Sequence, residues 1–202
     1  MVRVLIASHN KGKLKEYDEL LDGMPVEFML LDQVGITEDV PETGSTFEEN
    51  VVLKANAYGE QSGMITLADD SGLEVDALGG APGVYSARYA GEGASDQDRY
   101  RLLLKNLDNV PADQRQARFR CVIALRTPDG EIRTAEGIVE GMVGYEARGT
   151  HGFGYDPVFY LPEYSAMLAE LGPEIKNIIS HRARALQAIM PTLQEVIAQY
   201  QE

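Results

Sequence analysis

ARFRCVIALRTPDGEIRTAEGIVEGMV, residues 117–143, sets the fold class of this chain. Ala117 to Arg126 and Glu131 to Val143 are rich in β-branched and apolar residues and favour strands. Pro128-Asp129-Gly130 between them supplies a fixed φ, a self-bonding side chain and a residue tolerant of positive φ, so the segment reads as a hairpin. Working outward, Val2 to Ala7 is another β-branched run bounded by Ser8-His9-Asn10. Lys11 to Leu21 follows, with Leu14, Tyr17, Leu20 and Leu21 at helical spacing. Strand, loop and helix at one end and a hairpin further on make the expected sheet mixed.

The remaining punctuation fits this scheme. Ser45 and Thr46 precede Glu48 and Glu49 by three residues each, the capping-box pattern, which opens a helix through about Glu60. Met64 to Leu67 and Leu73 to Val75 read as strands flanking an acidic turn. Ser95 caps a helix reaching Leu107, Pro173 suits a first helical turn, and Ser180 caps a final helix with Leu186, Ile189 and Leu193 on its apolar stripe and Pro191 as a kink. The expectation is a single domain over 1–202, an α/β mixed sheet flanked by helices with loops converging on a cleft.

Composition bounds the partners. Apolar residues make up 44% and charged residues 25%, ordinary for a globular chain. Eighteen Lys and Arg against 32 Asp and Glu give a net charge of −14. A surface of that sign repels polymeric DNA and RNA, while a small anion can still bind where local cations, N–H groups or a metal reverse the field. Val4-Leu5-Ile6-Ala7 is too short for a signal sequence, and no run reaches the roughly 18 apolar residues of a membrane span. A cytoplasmic location without membrane attachment is the default. Cys121, the one cysteine, lies in an apolar run and reads as a core residue.

Four clusters carry candidate chemistry. Ser8-His9-Asn10-Lys11-Gly12-Lys13 joins a strand end to a helix start, where N–H groups, the helix dipole and Lys13 favour an anion, although the Walker spacing is absent and a solvated loop competes. Asp69-Asp70-Ser71-Gly72 offers adjacent carboxylates that point to opposite faces if extended, or a plain Asx-type turn. Glu42, in the Pro41-Glu42-Thr43-Gly44 loop, and Lys54, on the following helix, are either additions to that site or solvated side chains. Gly149-Thr150-His151-Gly152-Phe153-Gly154-Tyr155-Asp156-Pro157 alternates glycines with rings that either stack on a nucleobase or pack inward. Lys176 and Ser180-His181-Arg182 place positive charge in a first helical turn, against the dipole, which marks either function or a salt-bridged surface.

Together these runs resemble the inosine triphosphatase family, the Ham1-like non-canonical purine nucleoside triphosphate pyrophosphatases. The resemblance covers nearly the whole chain in order: Ser8 to Lys13; Glu42-Thr43-Gly44, Phe47, Glu49, Asn50 and Lys54-Ala55; Ala68 to Leu73; Gly79 to Arg88; Phe153 to Pro157; and Ser180-His181-Arg182. It departs at His151, where many members have glycine, at Val51, where alanine is common, and in detail over Glu163 to Leu171.

The resemblance implies two lobes on an elongated mixed sheet with the active-site cleft between them, and a homodimer. It implies hydrolysis of ITP, dITP and XTP to the monophosphate and pyrophosphate. Ser8, His9, Asn10, Lys11, Gly12, Lys13 and Lys54 would hold the triphosphate, with Ser71 also binding substrate. Glu42 and Asp70 would bind Mg2+, and Asp70 would be the general base. Phe153 would stack on the purine, with Gly154, Tyr155, Asp156, Lys176, His181 and Arg182 completing the base and sugar pocket. Two alternatives stay open: a related pyrophosphatase for pyrimidine or modified nucleotides, and a nucleotide-sensing module without turnover.

Overall fold

The structure, a computed structural model, describes residues 1–201; the last residue of the expected 1–202 domain lies outside the described residues. Seven strands form one sheet in the order β2-β1-β3-β4-β5-β6-β7. They are β1 (Arg3–Ile6), β2 (Glu27–Leu30), β3 (Ile65–Val75), β4 (Gln116–Arg126), β5 (Ile132–Val143), β6 (Phe159–Leu161) and β7 (Ala166–Met167). β1 pairs in parallel with β2 and β3, with Val4 opposite Phe28 and Ile65, whereas β6 is antiparallel to β5 and β7. The sheet is mixed, as the hairpin requires. Among the described residues five α-helices accompany it: α1 (Lys11–Leu20), α2 (Phe47–Ser62), α3 (Asp96–Asn106), α4 (Pro173–Ile179) and α5 (His181–Gln199).

One expectation fails here. Asp69-Asp70-Ser71-Gly72 is not a turn between two short strands but the middle of β3, an unbroken strand of 11 residues. The turn propensity of Asp, Ser and Gly is overridden because partners elsewhere in the chain satisfy the carboxylates. Pro191 lies inside the final helix, as expected of a kink, and that helix runs from His181 to Gln199.

The chain divides into two compact units. The first comprises Met1–Asp70, Cys121–Gly137 and Arg182–Glu202, and the second comprises Ser71–Arg120 and Ile138–His181. In the first, Tyr17 of α1, Leu21 that caps it, and Leu186, Ile189 and Leu193 of α5 bury against Val4, Ile6, Ile65, Leu67 and Ile123 of the strands. Each full burial of a large aliphatic chain contributes about 1.5–3 kcal/mol. In the second, Leu103 and Leu107 pack with Leu73, Val75, Phe119, Val139, Val158 and Phe159. Among the described residues no helix is long and apolar enough to cross a membrane.

Candidate functional site

The first unit gathers five of the expected residues, Lys13, Glu42, Lys54, Asp70 and Arg182, around β3. Strand periodicity sends Ile65, Leu67 and Asp69 to one face and Asp70 to the other. Ile65 and Leu67 face the core, so Asp69 is driven inward and is 2% exposed; Asp70 is 5% exposed. Such burial is tolerable only with paired charge. Asp69 Oδ2 accepts from Arg182 Nε at 3.2 Å and Nη2 at 3.0 Å, with Lys13 Nζ at 3.1 Å. Its backbone carbonyl accepts from Lys54 Nζ at 2.6 Å and Lys13 Nζ at 3.4 Å. Burial pushes the Asp69 carboxyl up, but Lys13, Arg182 and Lys54 outweigh it and hold the group well below the usual carboxylate range.

Asp70 behaves in the opposite way. Burial raises its pKa, Lys54 opposes the shift, and Glu42 adds to it. The adjacent carboxylates are therefore unlike: the surrounding cations favour the ionised form of Asp69, whereas burial favours the protonated form of Asp70.

Local sequence explains why Lys54 reaches this place. Thr46 Oγ1 accepts from the Glu49 N–H at 3.1 Å, and the Glu49 carboxylate accepts from the Ser45 N–H at 2.6 Å, which starts α2 one residue later. Gly44 lies so close to that start that a Cβ would fall 2.6 Å from Glu49 Cβ and 2.7 Å from Asn50 Oδ1. Val51, Ala55 and Tyr58 form the buried stripe of α2, and Lys54 belongs to the same face. Tyr58 Oη accepts from the Val40 N–H at 3.0 Å, tying down the chain that leads to Glu42.

Lys54 Nζ donates to Glu42 Oε1 at 2.9 Å and lies 3.6 Å from Asp70 Oδ1. Burial lowers the Lys54 pKa, but Asp70, Glu42 and Asp69 more than reverse that effect. Glu42 and Asp70 thus converge on a cation. Among the described residues no cluster of three or more His, Cys, Asp or Glu side chains forms a metal cage. Two carboxylate sources suit Mg2+, which keeps waters and takes its other ligands from substrate phosphates.

The loop from Ser8 to Lys13 is more self-contained than its position suggests. Asn10 Oδ1 caps α1 by accepting from the N–H groups of Gly12 at 2.9 Å and Lys13 at 3.1 Å, and Ser8 Oγ accepts from the Asn10 N–H. His9 Nδ1 lies 2.8 Å from Asp39 Oδ1, and its Nε2 lies 3.1 Å from the Ile36 carbonyl. The Asp39 bond, opposed by partial burial, raises the His9 pKa. Lys11 is exposed.

The second unit assembles a different cluster. Asp156 Oδ2 accepts from Lys176 Nζ at 2.6 Å and from the Phe153 N–H at 3.0 Å, and Lys176 lies 5.1 Å from the centre of the Phe153 ring. Gly152 makes room: at φ +77°, a Cβ would sit 2.0 Å from Asp156 Oδ2 and 2.8 Å from Lys176 Nζ. Asp96 Oδ2 accepts from the Gly154 N–H at 2.7 Å. His181 stacks on Phe119 with centroids 4.7 Å apart and planes at 11°. Ser71 is half-buried on β3.

Two expected pocket residues are placed otherwise. Tyr155 is buried in the second core and donates its hydroxyl to the Ser86 carbonyl at 2.8 Å. Arg182, 0% exposed, belongs to the first unit, where its guanidinium holds Asp69 and Glu16. Glu16 went unnoticed in the sequence, although its spacing from Lys13 on α1 puts both on one helix face. Cys121 Sγ lies 3.8 Å from Asp69 Oδ2, and burial with the Asp69 charge pushes its thiol far up, which confirms a core residue.

The family model described as the Ham1 family matches residues 4–192. The chain belongs to the Ham1 family. It is 48% identical over 96% of its length to all of a Bacillus licheniformis protein named dITP/XTP pyrophosphatase. A Bacillus subtilis protein of that name is 46% identical over 96% of this chain and 98% of its own. Among solved structures, a HAM1 protein from Coxiella burnetii superposes with a TM-score of 0.88 at 43% identity, covering 96% of this chain and 100% of that one. The Staphylococcus aureus Ham1 protein gives 0.85 at 41%, covering 96% and 98%.

Proposed function

We propose that this Ham1-family chain is a Mg2+-dependent pyrophosphatase for non-canonical purine nucleoside triphosphates, converting ITP, dITP and XTP to the monophosphate and pyrophosphate. The carrying observation is the convergence of Glu42, Asp70 and Lys54 beside Asp69 and Lys13. Glu42 and Asp70 would hold Mg2+, which would supply positive charge against the triphosphate. Lys13 and Lys54 supply fixed positive charge for the triphosphate. Asp70, its pKa raised, takes the proton of the attacking water, and Asp69 stays ionised to anchor the lysines.

In the second unit Phe153 offers its ring to the purine, while Lys176 and His181 supply donors for a 6-keto group. An amino group at that position would leave such donors without acceptors, a mismatch that can exceed 10³-fold in discrimination. The proposal carries with it a cytoplasmic location and the homodimer that the family resemblance implies, the latter checked by sedimentation. A panel of triphosphates assayed for pyrophosphate with and without Mg2+ tests the reading. Release from dITP, ITP and XTP that vanishes with chelator is the expected result. Binding without turnover would make the chain a sensor, and a pyrimidine preference would make it a different pyrophosphatase.

A further inference from the structure

We propose that Glu16 and Arg182 are positioning residues for the triphosphate site, acting through Asp69 and not through contact with the base. The inference rests on the functional reading of that site given above. Arg182 is 0% exposed, and its guanidinium is divided between two carboxylates: Nε and Nη2 on Asp69 Oδ2, and Nη1 on Glu16 Oε2. Lys13 Nζ shares that same Asp69 oxygen at 3.1 Å, and the Asp69 carbonyl carries Lys54. Every link from Glu16 to Lys54 lies within one unit.

Charge balance shows what Glu16 does. With Glu16 ionised, the guanidinium is satisfied on two sides, and Asp69 Oδ2 retains capacity for Lys13. With its charge removed, Arg182 leans wholly on Asp69 and competes with Lys13 for one oxygen. Lys13 and Glu16 share a face of α1, so a shift of either is transmitted through the helix. The cost falls on phosphate binding, whichever base the substrate carries.

Inorganic tripolyphosphate, which has no base, is the discriminating probe, titrated by calorimetry in the presence of Mg2+. In Glu16→Gln, with folding checked by circular dichroism, its affinity falls about tenfold or more, the size usual for outer-shell partners. The kcat/KM values for dITP, XTP and ATP fall by one common factor, so selectivity is unchanged. Glu16→Asp, which keeps the charge, restores most of the loss, and in an Asp69→Asn background Glu16→Gln adds little. Should Glu16→Gln not fold, Arg182→Lys, which keeps charge but loses the fork, makes the same comparison with the same expected uniform loss.

Tripolyphosphate affinity within about twofold of wild type overturns the proposal. So does a lost preference for keto purines with tripolyphosphate binding intact, which would return Arg182 to base recognition. If the wild type fails to hydrolyse dITP, the functional reading falls, while the tripolyphosphate titrations still score this one.

Discussion

Each unit buries an aspartate against a lysine, yet the two pairs are built for different work. Asp69 is surrounded by three cations from distant parts of the chain and sinks far below its ordinary pKa. Asp156 accepts from Lys176 and from the Phe153 N–H, in a space that exists only because residue 152 lacks a side chain. The first arrangement gathers positive charge, which under the proposed function holds the triphosphate. The second shapes a loop, fixing Phe153 and Lys176 as a ring and a donor. Charge density is the resource of one site and shape the resource of the other.

The sharpest way to break that contrast is Asp70→Asn, which removes the tuned carboxylate and leaves the stored charge in place. Pyrophosphate release falls by roughly 10³-fold while the circular dichroism spectrum is unchanged; wild-type turnover would remove Asp70 from the chemistry. Asp69→Asn attacks the charge store itself and costs about 3 kcal/mol in urea unfolding, because Arg182, Lys13 and Lys54 lose their common counter-charge. Its sign with pH follows from the depressed carboxyl. The wild-type contribution is fully present above the unfolded value of about 3.9 and is lost as pH falls toward the lower folded value, a dependence the variant lacks.

Gly152→Ala tests the shaped site. The added methyl pushes between Asp156 and Lys176 at a positive φ, so KM for ITP rises roughly tenfold, equivalent to about 1.4 kcal/mol. Tripolyphosphate binding stays as it was; a parallel loss would mean that the loop also serves the phosphates. The smallest effect is at His9, whose mostly exposed bonds to Asp39 and the Ile36 carbonyl hold a loop. His9→Ala lowers stability by under about 1 kcal/mol. The raised pKa places that contribution below the unfolded value of about 6.5, and it is lost as pH rises through the folded value.

The sequence was readable where the signal was local. Thr46 with Glu49, Ser95, and Pro128-Asp129-Gly130 announce elements within a few residues, and α2, α3 and the β4–β5 connection follow them. The acidic pair was misjudged as a turn for the same reason: what makes an extended, buried Asp69 tolerable comes from Lys54, Lys13 and Arg182, 15, 56 and 113 residues away. The four-residue strand β2 is too brief for periodicity to show. Lys54 was singled out by resemblance, and its burial becomes intelligible only once Val51, Ala55 and Tyr58 define its helix face. The resemblance put Arg182 in the base pocket with His181, whereas the side-chain geometry sets Arg182 on Asp69 and Glu16 and stacks His181 on Phe119.

The single oxygen of Asp69 shared by Lys13 and Arg182 has a consequence for how such a protein can change over generations. Replacing any one of the three leaves an unbalanced charge in a dry interior, so substitutions there are harmful one at a time and tolerable only in concert. Drift should therefore leave this trio frozen as a block, so that new substrate preferences must come from residues that hold no share of that charge.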